Sequence, residues 1–508
     1  MKSKSKSVAT PEVTKPLAVI TGGAGYVGLR LCRHLLSQGF RVRLFDIRRP
    51  PETTKRGSHH ASSTLPTFND YKSMEPYENR MPASAEFIEG DIREALHVET
   101  ALRDASIVFH IASYGMSGAE ALKTDLIHQV NVIGTQNVID ACISCGVQRL
   151  VYTSTVNTVF GGRYIDGGDE TMPCVDPSSF WDHYSRTKAQ AEAMVLQANG
   201  RKLFTSTTGA LKIKDAADMY KSTGSKSLDN GVRRPVTRRL AAAMAAEAAA
   251  VPEMIPSSSL MATVGPITTT PHPMVLHTCA IRPAGIYGPG ESRHLPRVVS
   301  MVRGGMFKFV FDFPGSKTDW LHVENLVMAL SLAGQGLGSE KKHVASGQAY
   351  FISDDQPINN FEFFRPFIEG LGYKHPSIRI PYRLVFYVGF LMELLHMALK
   401  PLGINFVPLL SRAEVDKCAI MHWFRIDKAR RDLGYNPVKI PIEETVAWFL
   451  DRGYGAKGAD ISRARTSCTT VTGQHGGVWK ETLSEWMLLL FSFSIMMALV
   501  PCMLSLYR

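Results

Sequence analysis

The junction that most limits what this chain can fold into lies near its start, where the apolar run Leu17-Ala-Val-Ile20 passes into Thr21-Gly-Gly-Ala-Gly-Tyr-Val-Gly28. A helical pattern opens at Tyr26 and runs to Gln38, so the glycines sit between a strand and a helix. In such a loop Gly22 makes the tight turn, Gly25 lets a ligand approach the backbone, and Gly28 lets helix pack on strand. Glycines alone are a weak signal. Here Asp46 closes the next strand, 41–46, eighteen residues beyond Gly28, and that spacing marks the loop, with Tyr26 and Val27 in it, as a dinucleotide site. A carboxylate at Asp46 accepts from ribose hydroxyls and repels a 2′-phosphate, which favours NAD; Arg48 and Arg49 leave NADP open.

Further strand patterns at 87–91, 106–110, 149–154 and 276–282 alternate with helical ones. Alternation of this kind predicts an α/β protein, a Rossmann-type doubly wound parallel sheet covered on both faces. Residues 17–284 are read as the NAD-binding domain, 285–455 as a smaller C-terminal substrate domain sharing strands with the sheet. Two stretches interrupt the pattern. Residues 50–85 read as a long Pro/Ser/His-rich surface loop. Residues 201–275, far longer than a normal connection, read as a disordered insert whose alanine-rich piece 237–250 is only marginally helical. Residues 1–16 form a disordered basic tail, and 456–480 a polar linker.

The net charge of +11 does not point to nucleic acid, because the tail carries +3 of it and the insert +5, leaving the folded remainder close to neutral. Eight scattered cysteines fit a reducing compartment. Cys142 and Cys145 match a redox spacing but lie in a helical pattern without a partner pair, so they read as packed residues; no metal site is expected. Residues 486–507, from Trp486 to Tyr507, contain no charge and suffice to cross a bilayer core of about 30 Å. This C-terminal transmembrane helix implies a single-pass anchor, placed in the endoplasmic reticulum with the head in the cytosol.

Tyr184 and Lys188, in Tyr184-Ser-Arg-Thr-Lys188, lie one turn apart on one helix face. A fixed ammonium beside a phenol favours the phenolate, so Tyr184 can exchange a proton near neutral pH. Glycine loop and pair together resemble the extended short-chain dehydrogenase/reductases. Phe109-His-Ile-Ala-Ser-Tyr-Gly-Met-Ser-Gly118, Tyr152-Thr-Ser-Thr155, His183-Tyr-Ser-Arg-Thr-Lys188, Arg282-Pro-Ala-Gly-Ile-Tyr-Gly-Pro-Gly-Glu291 and Asn359-Asn-Phe-Glu-Phe-Phe-Arg365 narrow the likeness to short-chain dehydrogenase/reductase family 42E, a branch of the 3β-hydroxysteroid dehydrogenase/isomerase group. The likeness covers about 17–455, apart from the 50–85 loop and the 201–275 insert.

The resemblance implies a set of roles. Tyr184 is the general acid/base, Lys188 its electrostatic partner and a ligand of the nicotinamide ribose, and Thr155, with Ser154 the alternative, the donor to the substrate oxygen. Asp91 and Ile92 grip the adenine, Ala112 and Ser113 border the cofactor, Ile286, Tyr287 and Gly288 line its nicotinamide end, and Pro283 is a further cofactor-binding residue. Asn131 lies near the active site in the family; a helix N-cap is the equal alternative. His110 reads as a packed strand-end histidine rather than an acid/base. Residues 384–399, with Glu393 as their one acidic residue, are too short to span a bilayer and read as a cap over an apolar pocket, a membrane-surface helix or a buried helix. The expected activity is NAD-dependent oxidation of the CH–OH group of a hydrophobic, steroid-like alcohol, within steroid biosynthesis. Rival readings are a nucleotide-sugar epimerase or dehydratase, and a non-catalytic cofactor-binding scaffold. Isomerase activity and a homodimer stay open.

Overall fold

The computed structural model describes residues 15–50, 80–204, 274–305, 307–404 and 406–456. The tail up to residue 14, the 51–79 loop, the insert between 205 and 273, the linker beyond 456 and the 486–507 helix lie outside the described residues.

Seven strands pair in parallel: β1 (Leu17–Thr21), β2 (Arg41–Asp46), β3 (Glu86–Glu89), β4 (Ile107–His110), β5 (Arg149–Thr153), β6 (His277–Pro283) and β7 (Gln348–Ile352). Their order is β7-β6-β5-β4-β1-β2-β3. All five residues of β1 are buried, which is why its sequence is apolar without alternation. On one face Leu29, Leu31 and Leu35 of the helix Tyr26–Ser37 cluster with Leu326, Leu330 and Ala333 of the helix Val323–Gly336. On the other, Val98 and Leu102 cluster with Val138, Cys142, Ala191 and Val195. Cys142 and Cys145 thus pack as apolar residues, and burial pushes both thiols up. The strand order reverses between β1 and β4, the point where open α/β sheets leave a crevice at their carboxyl ends.

The feet of the insert are ordered, which narrows its expected bounds. Lys202 bridges Val275 in antiparallel fashion, Leu203 N–H donates to Met274 O at 2.9 Å and Leu276 N–H to Arg201 O at 2.9 Å. A closed stem of this kind lets a long loop be added at small entropic cost.

After residue 284 the chain returns to the sheet as β7 and otherwise builds over its carboxyl edge. Gly285–Tyr287 pairs with Trp320–His322, and Ile165–Gly168 with His422–Phe424. A separate core gathers Tyr287, Leu295, Phe363, Phe367, Val446 and Phe449, and Trp320 stacks on Phe363 with centroids 4.1 Å apart. The apolar stretch at 384–399 is longer than its sequence pattern indicates. The helix Tyr382–Leu399 continues through Lys400–Leu402 to give 21 residues, long and apolar enough to cross a membrane by length and composition. Glu393 pairs with Arg412 at 2.7 Å and holds one face to the protein. Leu384, Tyr387, Leu394, Met397 and Leu402 are exposed, so this is not a buried helix.

Candidate active site

A cavity of about 1050 Å³ opens at the carboxyl edge of the sheet. Gly22, Gly25, Tyr26, Val27, Gly28, Asp46, Asp91, Ile92, Ala112, Ser154, Thr155, Tyr184, Lys188, Pro283 and Ile286 all line it. At one end the glycine loop is shaped by contacts no side chain would allow. Gly22 adopts φ +70°, and a Cβ there would lie 2.8 Å from Ala112 N; a Cβ on Gly28 would lie 2.5 Å from Gly22 O. A Cβ on Gly25 would meet only Gly22 O, at 3.1 Å, so this glycine faces open space. Gly25 caps the helix Tyr26–Ser37 with no side chain on its first N–H groups, which leaves them to an anion.

Asp46 stands beside this loop, with Oδ2 accepting from Ala24 N–H at 3.0 Å and Oδ1 from Ile47 N–H at 2.7 Å. Burial pushes its carboxyl up against the pull of those main-chain bonds. Asp91 is held by the Arg93 guanidinium at 2.5 Å, which keeps its carboxyl below the usual range. Ile92 packs against Gly134, where a Cβ would fall 2.9 Å from its side chain. Open helix N-terminus, carboxylate and tight glycine turn together fit a dinucleotide.

The helix His183–Gln197 carries the other end. Asp182 starts it, accepting from Ser185 N–H at 2.7 Å and pairing with Lys417 at 3.2 Å. Tyr184 and Lys188 are 7% and 2% exposed, side by side on the inner face. Their electrostatics differ from what the spacing alone predicts. Lys188 Nζ donates to Thr153 O at 2.5 Å and lies 4.2 Å from the centre of the Tyr152 ring. Burial lowers Lys188 to about 7, with Glu192 opposing. Tyr184 is raised to about 12 by burial, against the pull of the Arg293 guanidinium and a hydrogen bond with Ser113. In this structure desolvation outweighs neighbouring charge, so the phenol is held protonated rather than poised near neutrality.

Ser154 and Thr155, alternatives in the sequence, are separated by their partners. Among the described residues, Ser154 Oγ donates to Glu192 Oε2 at 2.5 Å, whereas Thr155 Oγ1 accepts a 3.3 Å contact from Asn157 N–H and its own proton has no acceptor. His110 is fully buried between Thr21 Oγ1 at 2.7 Å and Thr135 Oγ1 at 2.9 Å, and burial drops it to about 3, as a packed neutral histidine requires. Asn131 is not an N-cap. It sits in the π-turn Gln129–Ile133, accepts from Tyr114 N–H at 2.9 Å and donates to Thr187 Oγ1 at 3.1 Å, so it ties the post-β4 loop to the Tyr184 helix.

Beyond Thr155 the wall turns apolar. Phe307, Phe309, Phe311, Trp320, Phe361, Phe364, Val385, Leu409 and Leu410 line it, drawn from segments far apart in sequence. Of the cations lining it, Arg297 and Lys417 are in ion pairs with Glu414 and Asp182, while the Arg293 guanidinium acts on Tyr184. Sequence reasoning missed Arg293, which no local pattern marks. It also missed Glu192, although 184, 188 and 192 repeat one helical spacing.

A family model for the 3-beta hydroxysteroid dehydrogenase/isomerase family matches residues 19–214 and 268–382. The chain is 41% identical over 443 residues to short-chain dehydrogenase/reductase family 42E member 1 of Homo sapiens, covering 87% of this chain and 89% of that protein. It is 30% identical over 442 residues to the 3beta-hydroxysteroid-dehydrogenase/decarboxylase isoform 1 of Arabidopsis thaliana, covering 86% of this chain and 80% of the relative. Among solved structures, that of gox2253 superposes with a TM-score of 0.52 at 19% identity, over 87% of this chain and all of its own, and shares the fold.

Proposed function

This chain belongs to the 3-beta hydroxysteroid dehydrogenase/isomerase family, and on that premise we propose that it is an NAD(P)-dependent oxidoreductase that oxidises the hydroxyl-bearing carbon of an apolar, 3β-hydroxysteroid-like alcohol. The carrying observation is the continuity of one cavity from the glycine loop, past Tyr184 and Thr155, to an aromatic and aliphatic wall on which Arg297 and Lys417 are already paired. An epimerase or dehydratase of nucleotide sugars needs polar and basic groups for a diphosphate at that wall. The apolar lining supports the steroid-like alcohol instead. A non-catalytic scaffold has no use for a buried Tyr184 and Lys188 beside a free Thr155 hydroxyl.

The nicotinamide supplies the hydride acceptor when bound. The open N–H groups after Gly25 would hold its diphosphate and Asp46 the adenosine ribose, and Ala112, Pro283 and Ile286 would border the ring. Thr155 donates to the substrate oxygen and fixes it beside Tyr184. In the oxidising direction Tyr184 acts from its phenolate, which the Arg293 guanidinium and the Lys188 ammonium stabilise, and the phenolate takes the hydroxyl proton as the carbon is oxidised. The apolar lining lowers the local dielectric and strengthens each of these contacts.

The enzyme works at a membrane in this reading. The exposed apolar face of the helix Tyr382–Leu399 and the uncharged 486–507 segment support attachment at the cytosolic side of the endoplasmic reticulum. The test is NADH formation by the detergent-solubilised full chain over a panel of 3β-hydroxysteroids, alongside NAD binding by calorimetry. Tyr184→Phe is expected to cut turnover at least about a hundredfold and leave NAD affinity nearly unchanged. Normal NAD binding with no turnover of any steroid overturns the proposal.

A further inference from the structure

The inner face of the Tyr184 helix does not end at Lys188. One turn further on, Glu192 is 1% exposed and sits in a bidentate pair with Arg282 of β6, Oε1 at 2.5 Å from Nη2 and both oxygens 3.1 Å from Nε. The same carboxylate accepts from Ser154 Oγ at 2.5 Å and from the Cys174 thiol at 3.7 Å. A buried charge pair is costly to form and is weak evidence of stability in itself. Here it joins the helix to the carboxyl ends of β5 and β6 at the place where Lys188 is buried.

Lys188 faces few charges. On its own helix it has Tyr184 and Glu192; from β5 the Tyr152 ring at 4.2 Å; from β4 the neutral His110; and behind Glu192 stand Arg282 and Cys174. Of these Glu192 is the one anion acting on the ammonium, and it opposes the burial that drives the proton off. We propose that Glu192, clamped by Arg282, is a positioning residue of this active site: its carboxylate keeps the Lys188 ammonium charged and commits the Ser154 hydroxyl, leaving Thr155 to face the substrate oxygen. The inference rests on the roles of Tyr184, Lys188 and Thr155 proposed above.

The experiment reads Lys188 directly. Competitive acetic anhydride labelling of the full chain, quantified by mass spectrometry of the Lys188 peptide across pH, reports its titration without turnover. Glu192→Gln keeps the shape and an oxygen for Ser154 but removes the charge. Its expected result is a Lys188 midpoint lowered by about one pH unit. Alcohol oxidation then fails at correspondingly lower pH, with kcat down about fivefold at neutral pH and KM within about twofold. Because Glu192→Gln strands the Arg282 charge, Glu192→Gln with Arg282→Met is the second variant; the midpoint is expected to stay low in it. A midpoint that returns to the parent value in the double variant, or never moves in the single one, overturns the inference. Thr155→Ala is expected to lose about a hundredfold in kcat and Ser154→Ala at least about tenfold less than that; equal losses overturn the assignment of Ser154. A parent enzyme that turns over no alcohol refutes the functional reading alone, since the Lys188 titration still decides the role of Glu192.

Discussion

Adding one methyl group at Gly28 and at Gly25 is expected to separate what the glycine loop does for the fold from what it does for the cofactor. At Gly28 the new Cβ would lie 2.5 Å from Gly22 O and 2.8 Å from both Gly23 Cα and Gly23 O, all backbone atoms that cannot rotate away. The helix Tyr26–Ser37 must back off β1, and overpacking of this kind costs about 1–3 kcal/mol. Thermal unfolding of Gly28→Ala is then expected to fall by roughly 2–4 °C for each kcal/mol, with NAD affinity weakened as the loop shifts. At Gly25 the Cβ meets only Gly22 O at 3.1 Å, with the backbone at φ −77° and ψ 171°, which alanine adopts without strain. Gly25→Ala is therefore expected to unfold within about 1 °C of the parent protein. Its methyl projects where a diphosphate approaches the N–H groups, so NAD dissociation is expected to rise at least about tenfold, or about 1.4 kcal/mol. Scanning fluorimetry and calorimetric titration on the same preparations give both numbers. Equal melting losses in the two variants, or Gly25→Ala binding NAD like the parent, would refute the assignment of Gly25 to the ligand and Gly28 to packing.

Two further outcomes follow from burial and exposure. Lys188 titrates at about 7 in the folded chain against an ordinary 10.5, so the unfolded chain binds the extra proton across that window; stability rises with pH there, and the burial penalty is fully present below about 7. Lys188→Met is expected to raise the melting temperature most below neutral pH, the gain vanishing towards pH about 10.5; a gain independent of pH overturns the low titration point. Leu394→Glu with Met397→Glu places charge on the exposed face of the Tyr382–Leu399 helix. With residues 481–508 removed, the pair is expected to abolish flotation with anionic vesicles while turnover of a detergent-dispersed alcohol stays within about twofold; undiminished flotation shows that this face does not meet lipid.

The parts of the site legible in sequence are those made by short-range geometry. The glycine loop, Asp46 and the Tyr184–Lys188 spacing lie within single strand–loop–helix units, where the 3.6 and 2.0 periods fix which side chains share a face. The parallel sheet follows from the same periods. The state of the phenol was not legible, because burial that raises Tyr184 comes from the whole enclosure rather than from its own helix. Asn131 illustrates the same divide: its residue type suits an N-cap, but the π-turn that carries it and its bonds to Tyr114 and Thr187 are tertiary. Arg293 reaches Tyr184 from a loop after β6, and nothing in a linear pattern connects positions 184 and 293. The helix at 382–402 was under-measured because Tyr382, Arg383 and Lys400 break the apolar run without breaking the helix.

Desolvation gives the Tyr184 helix its logic. Sinking Tyr184 and Lys188 into the protein favours the neutral form of each, raising the phenol to about 12 and lowering the amine to about 7. An acid/base pair that works by exchanging charge between its members needs the charged forms within reach, so burial alone is self-defeating. Each member is countered from outside the pair: Arg293 acts on Tyr184, and Glu192 acts on Lys188. Both counter-charges are themselves held in place, Glu192 by the Arg282 fork and Arg293 through its main chain, whose N–H donates to Glu291 Oε1 at 2.6 Å. The two couplings have opposite sign and approach from opposite ends of the helix face. Such an arrangement lets an apolar cavity coexist with proton transfer, as the proposed oxidation of a hydrophobic alcohol requires.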